Sequence, residues 1–290
     1  MNGIEIRNVS KAYGKTAALK DVSARIHAGK ICGFLGRNGA GKTTLLNIVA
    51  NRIFADQGEV LVDGEPAAEN DRAQRKIFYM TEQVLYPDDM KVKDIIHLSR
   101  TFYEGFDLEY AYALAEKFKL PTGKKLGSLS TGYRTIFKLV LAMASNAPYL
   151  LFDEPVLGLD ANHRDLFYRE LIAQYNQKGN TIVLSTHLIE EVAGLLEDVI
   201  IIEEGQILLA QPAEEVLRMA YTVSGGREAV DRYTAGKKVI REQELGRYKA
   251  ATIFQPRNGT DQEALAQAGL DLTPARLQEL FISLTDERKG

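Results

Sequence analysis

The stretch GRNGAGKT (residues 36–43) follows directly on the apolar run ICGFL (residues 31–35). It fills every fixed position of the pattern G-x-x-x-x-G-K-[ST], which is typical of a phosphate-binding loop between a strand and a helix. The glycines let the backbone turn tightly and bring several N–H groups to a phosphate chain, and the next helix adds its positive N-terminal end. The pattern therefore predicts a site for a nucleoside triphosphate.

Within this loop the residue types indicate separate roles. Lys42 supplies a mobile cation for the outer phosphates, and the Thr43 hydroxyl is a ligand for Mg²⁺. The alternative, a plain glycine-rich turn, is disfavoured because every fixed position is occupied. The loop residues expected to contact the nucleotide are Gly36, Asn38, Gly39, Gly41, Lys42, Thr43 and Thr44.

The bulk properties are those of an ordinary globular protein. The chain has 290 residues, of which 45% are hydrophobic and 26% charged, and its net charge is -3, so no nucleic-acid partner is expected. Cys32 has no second cysteine to pair with, which favours a reducing compartment. The longest apolar run, Leu139–Ala144, is far below the roughly 18 residues that span a bilayer, so we expect any membrane role to come from another polypeptide.

Strands and helices alternate over most of the chain, which predicts an α/β fold with a mostly parallel sheet. A helical stretch at about 84–145 is expected to form an inserted subdomain, with helices over 92–120 and 135–145. The other predicted helices are 163–177 and 188–196. The predicted strands are 3–9, 22–26, 31–35, 58–66, 149–152, 181–185 and 199–202.

After residue 212 the pattern changes, and we expect a small α+β accessory or regulatory domain at 213–290. Its predicted strands are 221–223 and 248–254, with a helix at about 226–234. The last helix is expected to have Thr273 as its cap and Pro274 in its first turn, because these residue types favour helix starts.

A second group of polar residues, Asp153 and Glu154, ends the apolar strand 149–152. Asp153 suits the organisation of Mg²⁺ near Thr43, and Glu154 suits the polarisation of water against the γ-phosphate. Two acids at a strand end are also common as a solvent-facing terminus. The phosphate loop upstream favours the functional interpretation.

The sequence Leu129-Ser130-Thr131-Gly132-Tyr133 opens the helix over 135–145 and would suit a simple helix cap. Here the chain resembles the ATP-binding subunits of ABC transporters, whose signature LSGGQ stands one helix before an Asp-Glu strand end. Thr131 and Tyr133 replace the first glycine and the glutamine. Because a β-branched side chain hinders close backbone approach, we expect slower turnover than with LSGGQ.

Four further positions match the same family. Tyr13 matches the aromatic residue that stacks on adenine, Asp160 belongs to the D-loop, and His187 matches the histidine that contacts the γ-phosphate. Gln83 matches the Q-loop glutamine by identity, whereas Glu82 fits the strict spacing. Gln83 is favoured, and either side chain would bind Mg²⁺ or position water.

The resemblance covers residues 1–212 and implies a P-loop NTPase core of the ABC ATPase type. It implies ATP and Mg²⁺ as cofactors, with Lys42, Glu154 and His187 catalytic and Thr43, Gln83 and Asp153 at the metal. Two ATP-binding subunits, as a homodimer or heterodimer, would sandwich ATP, with Ser130 and Gly132 acting on the nucleotide of the partner. Permease subunits would hold the protein at the cytoplasmic face of the membrane, and the subclass implied is export.

The alternative is a soluble ABC-type ATPase that acts as a nucleotide-gated switch outside transport. Translation factors of that type carry two ATPase cassettes, whereas this chain has a single phosphate loop. DNA-maintenance relatives insert long coiled coils, whereas only 87 positions separate Lys42 from Leu129 here. The single phosphate loop and the short spacing both favour the transporter subunit.

Overall fold

The structure is a computed structural model that describes residues 2–256, 265 and 268–286. The chain divides into two compact units, of which the first is Met1–His187 with Ile202–Ile207 and the second is Leu188–Ile201 with Leu208–Gly290. The functional division into 1–212 and 213–290 stays a prediction. Among the described residues, no helix combines the length and the apolar character needed to cross a membrane.

The first unit begins with an antiparallel sheet of strand order β2-β1-β4-β5. Its strands are β1 (Gly3–Tyr13), β2 (Thr16–His27), β4 (Gln57–Val62) and β5 (Glu65–Pro66). Ile4 and Ile6 are buried while Arg7 is exposed, so the predicted strand 3–9 has the alternation of a half-buried strand. Asp63 and Gly64 both have positive φ, so an Asp-Gly turn within the predicted strand 58–66 joins β4 to β5.

The larger sheet has the strand order β10-β9-β3-β8-β7-β6. Its strands are β3 (Ile31–Leu35), β6 (Ile77–Met80), β7 (Tyr149–Asp153), β8 (Thr181–Thr186), β9 (Asp198–Glu203) and β10 (Gln206–Pro212). The four strands β3, β8, β7 and β6 run parallel. Every residue of β3, β7 and β8 is buried, as expected for central strands covered on both faces. The predicted parallel sheet is confirmed, and β6 is a strand that the sequence pattern did not predict.

The helices of the first unit include the predicted helical stretch. They are α1 (Lys42–Val49), α2 (Asp71–Gln74), α3 (Val92–Phe102), α4 (Leu108–Lys117), α5 (Thr131–Ala144) and α6 (Ala161–Lys178). The predicted stretch 92–120 is two helices, because Asp107 caps a new one by accepting from the Tyr110 N–H. Helix α5 begins at Thr131 rather than Thr135, because the Ser130 hydroxyl caps it.

The described residues of the second unit form an antiparallel sheet of order β12-β13-β11-β14 with short helices. The strands are β11 (Tyr221–Gly226), β12 (Val239–Leu245), β13 (Tyr248–Ile253) and β14 (Asp271–Pro274), and the helices are α7 (Ile189–Val192), α8 (Ala213–Arg218), α9 (Arg227–Thr234) and α10 (Leu277–Asp286). Val230 of α9 packs with Val223, Ala251 and Ile253 in a buried apolar core.

One predicted element of this unit is wrong. Thr273 and Pro274 do not open the last helix; they end β14, where Thr273 pairs with Thr222 and Pro274 with Tyr221. The helix starts at Leu277. Local capping preferences favoured an earlier start, but pairing with a strand some fifty residues upstream in the sequence fixes the backbone as extended, and a propensity of this size is readily overridden.

Candidate nucleotide-binding and catalytic site

The carboxyl ends of the parallel strands meet at one edge of the larger sheet. Leu35 at the end of β3 pairs with Thr186 at the end of β8, and Asp153 at the end of β7 pairs with Ser185. The loops that leave these strands therefore start side by side. Residues distant in the sequence meet there, and this is the edge at which open α/β sheets bind ligands.

Glycines shape the loop between β3 and α1. Gly39 and Gly41 have φ of 82° and 111°, a region that strains residues with a side chain. A Cβ on Gly36 would lie 2.6 Å from the carbonyl oxygen of Ile202, and one on Gly41 would lie 2.7 Å from that of Ala18. Beyond the tight turn predicted from the sequence, the fold therefore requires glycine for packing against its own backbone.

Lys42, the first residue of α1, turns back over the loop. Its Nζ donates hydrogen bonds to the carbonyl oxygens of Gly36 at 2.6 Å and Arg37 at 3.2 Å. Burial lowers the pKa of this ammonium, and the carboxylates of Glu154 and Asp153 oppose the lowering. The charge lies inside the loop, where a phosphate chain would meet it.

A cavity of about 330 Å³ lies over the loop and brings most of the predicted residues together. Its volume falls within the range typical of small-ligand sites. Its wall combines loop backbone, two threonines, a lysine and three acidic residues. The lining residues are Ala18, Asn38, Gly39, Gly41, Lys42, Thr43, Thr44, Glu82, Asp153 and Glu154.

Asp153 is 3% exposed and accepts hydrogen bonds from three hydroxyl groups. Thr43 Oγ1 donates at 2.7 Å and Tyr79 OH at 3.3 Å to Oδ2, while Ser185 Oγ donates at 2.8 Å to Oδ1. Burial and the Asp153 charge raise the pKa of the Tyr79 hydroxyl, so it stays a donor. These bonds orient the carboxylate toward Thr43.

Ser185 and Tyr79 were not identified from the sequence as site residues. Ser185 is the residue that faces Asp153 across the pairing of β7 and β8. A register assigned from sequence would have found it, because both strands end at the same edge. Tyr79 lies in β6, which the pattern did not predict as a strand.

Glu154 follows β7 with φ of 50°, the left-handed region that is uncommon for a side-chain-bearing residue and clusters at functional sites. Its N–H donates to the carbonyl oxygen of Ser185 at 2.8 Å. The carboxylate is shared by two partners: Oε1 lies 2.9 Å from His187 Nδ1, and Thr186 Oγ1 donates to Oε2 at 3.3 Å. Two of the three predicted catalytic side chains, Glu154 and His187, are thus direct neighbours.

The turn after β6 places Glu82, rather than the favoured Gln83, on the wall of the phosphate cavity. Gln83 instead lines a neighbouring cavity of about 320 Å³. Lys138 of α5 donates to the carbonyl oxygens of Thr81 and Glu82, which sets the direction of the turn. Burial lowers the pKa of Lys138 to about 8, and the charges of Glu82 and Asp153 oppose the lowering.

The other predicted residues lie outside the phosphate cavity. Ser130 is an exposed cap of α5, and Asp160 caps α6 while pairing with His163 Nδ1 at 2.9 Å. Gly132 packs so closely on Gly158 that a Cβ would lie 2.9 Å from the Gly158 carbonyl oxygen. Tyr13 is 53% exposed at the end of β1.

The fold and the loop define a P-loop NTPase, and comparison with known proteins gives its family. Residues 19–157 match the sequence model of the ABC transporter family. The chain is 30% identical over 288 residues to the ABC transporter ATP-binding protein YtrB of Bacillus subtilis (strain 168), covering 97% of both chains. The protein belongs to the ATP-binding proteins of ABC transporters and is an ABC-type ATPase.

Other relatives carry names for opposite directions of transport. The Nod factor export ATP-binding protein I of Burkholderia lata is 32% identical over 97% of this chain and 96% of its own. The petrobactin import ATP-binding protein YclP of Bacillus subtilis is 28% identical over 84% of this chain and 99% of its own. A solved dimeric ATP-binding cassette in a post-hydrolysis state shares the fold, with a TM-score of 0.65 and 24% identity over 72% of this chain and 98% of that one.

Proposed function

We propose that this chain hydrolyses Mg²⁺-bound ATP as one of two ATP-binding subunits and thereby drives a membrane transporter, most simply an exporter. The observation that carries the proposal is the phosphate cavity, in which Lys42, Thr43, Asp153 and Glu154 converge from two loops. Electrostatic stabilisation and positioning are the main tasks of a protein in phosphoryl transfer, and this set of groups supplies both.

The residues present fit a magnesium ion. The Thr43 hydroxyl and the Asp153 carboxylate are in contact at 2.7 Å, and the Glu82 carboxylate lines the same cavity. Magnesium prefers such oxygen ligands and keeps several waters, and when bound it neutralises charge on the phosphates. We assign Thr43 and Asp153 to the metal, and Glu82 to the role first assigned to Gln83.

Glu154 is the proposed general base. Its carboxylate lies at the cavity wall, and the contact with His187 Nδ1 at 2.9 Å orients it. A water bound between Glu154 and the γ-phosphate would lose its proton to the carboxylate as it attacks. Lys42 would leave the Gly36 carbonyl for the phosphates, where its charge stabilises the transition state.

The exposed positions of Ser130 and Asp160 support action on a second subunit. The Ser130 end of α5 offers a hydroxyl and a helix N-terminus to an anion, yet it lies outside the cavity of its own chain. In a head-to-tail pair, Ser130 and Gly132 of each subunit would meet the ATP of the other. Binding of ATP would then close the pair, and hydrolysis would release it.

The cavity beside Gln83 supports the proposal that the chain binds a partner in the membrane. This groove is lined by Phe78, Tyr86, Leu85 and Phe102, among others, and Leu85 and Phe102 are 63% and 60% exposed. An apolar helix of a permease subunit would cover it and hold the chain at the cytoplasmic face of the membrane. Export is supported because the export relative aligns over 97% of this chain and the import relative over 84%.

The test is ATP retention and turnover by the purified full chain with Mg²⁺. We expect Lys42→Ala to abolish both, with Lys124→Ala, an exposed lysine of a loop, as the matched control. Glu154→Gln should retain ATP and lose turnover. Equal turnover in the wild type and Glu154→Gln would refute the assignment of the base, and ATP retention by Lys42→Ala would refute the site.

For the membrane partner, the measurement is the fraction of the chain found in the membrane pellet of its native cells, which supply the permease. Phe102→Asp should shift the chain to the supernatant, whereas Leu245→Asp, at an 83% exposed site of the second unit, should not. An unchanged distribution for Phe102→Asp would count against docking at this groove.

A further inference from the structure

Lys138 makes two contacts that the nucleotide site does not itself require. Its Nζ donates to the carbonyl oxygen of Thr81 at 2.7 Å and to that of Glu82 at 2.8 Å. Within the same turn, Thr81 Oγ1 donates to the carbonyl oxygen of Gln83 at 3.1 Å. Because an ammonium binds two consecutive carbonyls, both peptide groups of the turn are directed toward α5.

The direction of these peptides decides which side chain faces the phosphates. While Lys138 binds the carbonyl oxygens of Thr81 and Glu82, the Glu82 side chain lines the phosphate cavity. Gln83 lines the neighbouring cavity, and Lys138 lines that cavity as well. Rotation of either peptide would break a contact with Lys138 and turn Glu82 away. Lys138 therefore acts on the nucleotide site through Glu82.

The same helix carries the predicted signature. Ser130 caps α5, and Lys138 lies eight residues further along, which corresponds to about 12 Å of helix. Between them, Thr135 donates to the carbonyl oxygen of Leu157 at 3.0 Å, just before the D-loop. One rigid helix thus joins the signature end to the turn that bears Glu82.

We propose that Lys138 is a positioning residue that holds the Glu82 carboxylate at the phosphate cavity and links it to movement of the signature helix. The inference rests on the proposed function, since the signature end moves when a second subunit and ATP close on it. In the closed pair, Glu82 of each site follows α5 of its own chain, so closure at one nucleotide adjusts the groups at the other.

A first test needs no nucleotide. Limited proteolysis of the full chain, with a protease that cleaves after glutamate, compares the wild type, Lys138→Met, Lys138→Arg and Lys93→Met at the bond between Glu82 and Gln83. Cleavage of Lys138→Met should be about tenfold faster, because the turn opens locally more often. Lys138→Arg can still bridge two carbonyls and should restore resistance to cleavage, and Lys93→Met, an exposed lysine of α3, should match the wild type. An unchanged cleavage rate in Lys138→Met would overturn the inference.

A second test is a double-mutant cycle of Lys138→Met and Glu82→Ala in steady-state ATP hydrolysis. Lys138→Met alone should lower kcat about tenfold with KM for ATP within about twofold of the wild type. In the Glu82→Ala background it should change kcat less than about twofold, because it acts through Glu82. An equal loss in both backgrounds would overturn the inference. Absence of turnover in the wild type would refute the proposed function and leave the proteolysis result standing.

Discussion

The hydroxyl of Ser185 offers a sharp test of how the site holds its buried carboxylate. Ser185 is fully buried and donates to Asp153 Oδ1 at 2.8 Å, and Asp153 itself is 3% exposed. Ser185→Ala removes a single oxygen and leaves little empty space, so the main effect is the loss of one hydrogen bond to a charged acceptor. Such a bond contributes about 1.5–3 kcal/mol to stability.

We therefore expect Ser185→Ala to lower the free energy of unfolding of the nucleotide-free chain by about 2 kcal/mol, which corresponds to a fall in Tm of roughly 5 °C. Thermal and urea unfolding measure it. Because Oδ2 is then held less firmly toward the Thr43 hydroxyl, the Mg²⁺ concentration for half-maximal hydrolysis should rise several-fold.

Ser99→Ala is the matched control for this prediction. Ser99 is also buried, and its hydroxyl donates to the carbonyl oxygen of Ile95 at 3.0 Å and contacts the Tyr86 hydroxyl, so every bond lost is to a neutral partner. Its cost should stay below about 1 kcal/mol, with the Mg²⁺ response unchanged. If Ser185→Ala were as stable as Ser99→Ala and responded to Mg²⁺ like the wild type, the reasoning about the Asp153 network would be refuted.

Four further predictions follow from the same site and its surroundings. Glu154→Gln should lower kcat by at least about a hundredfold, because the proposed base is lost, while a labelled ATP analogue still binds. Glu82→Ala should raise the Mg²⁺ requirement for hydrolysis more than Gln83→Ala, because Glu82 lines the phosphate cavity. Thr131→Gly should raise kcat about two- to fivefold in steady-state assays, because it removes a β-branched side chain from the signature. Burial raises the pKa of Tyr103 to about 12. The neutral hydroxyl therefore stabilises the folded state fully below pH 10, and this contribution is lost as the pH rises from 10 to 12. The Tm of Tyr103→Phe should fall less than that of the wild type over this range.

Each of these has an outcome that contradicts it. Equal rates for Glu154→Gln and the wild type would show that Glu154 is not the general base. A larger effect of Gln83→Ala than of Glu82→Ala on the Mg²⁺ requirement would favour Gln83, the residue first favoured from the sequence. Unchanged kcat in Thr131→Gly would show that the signature tolerates threonine. Parallel loss of Tm in the wild type and Tyr103→Phe between pH 10 and 12 would show that this tyrosine does not keep its proton.

The sequence by itself determined the elements whose chemistry depends on a few consecutive residues. The phosphate loop is such an element, since its glycines, Lys42 and Thr43 are contiguous, and Asp153 and Glu154 at the end of an apolar strand are another. The parallel sheet also followed from local patterns, because strands buried on both faces read as short apolar runs.

Only the tertiary structure decided which neighbours complete those elements. Whether Glu82 or Gln83 faces the phosphates depends on Lys138, 56 positions away, because its ammonium orients the peptides of the turn. Ser185 reaches Asp153 only through the register of β7 and β8. Thr273 and Pro274 are extended because β14 pairs with β11, and this long-range hydrogen bonding outweighs a local preference for a helix start.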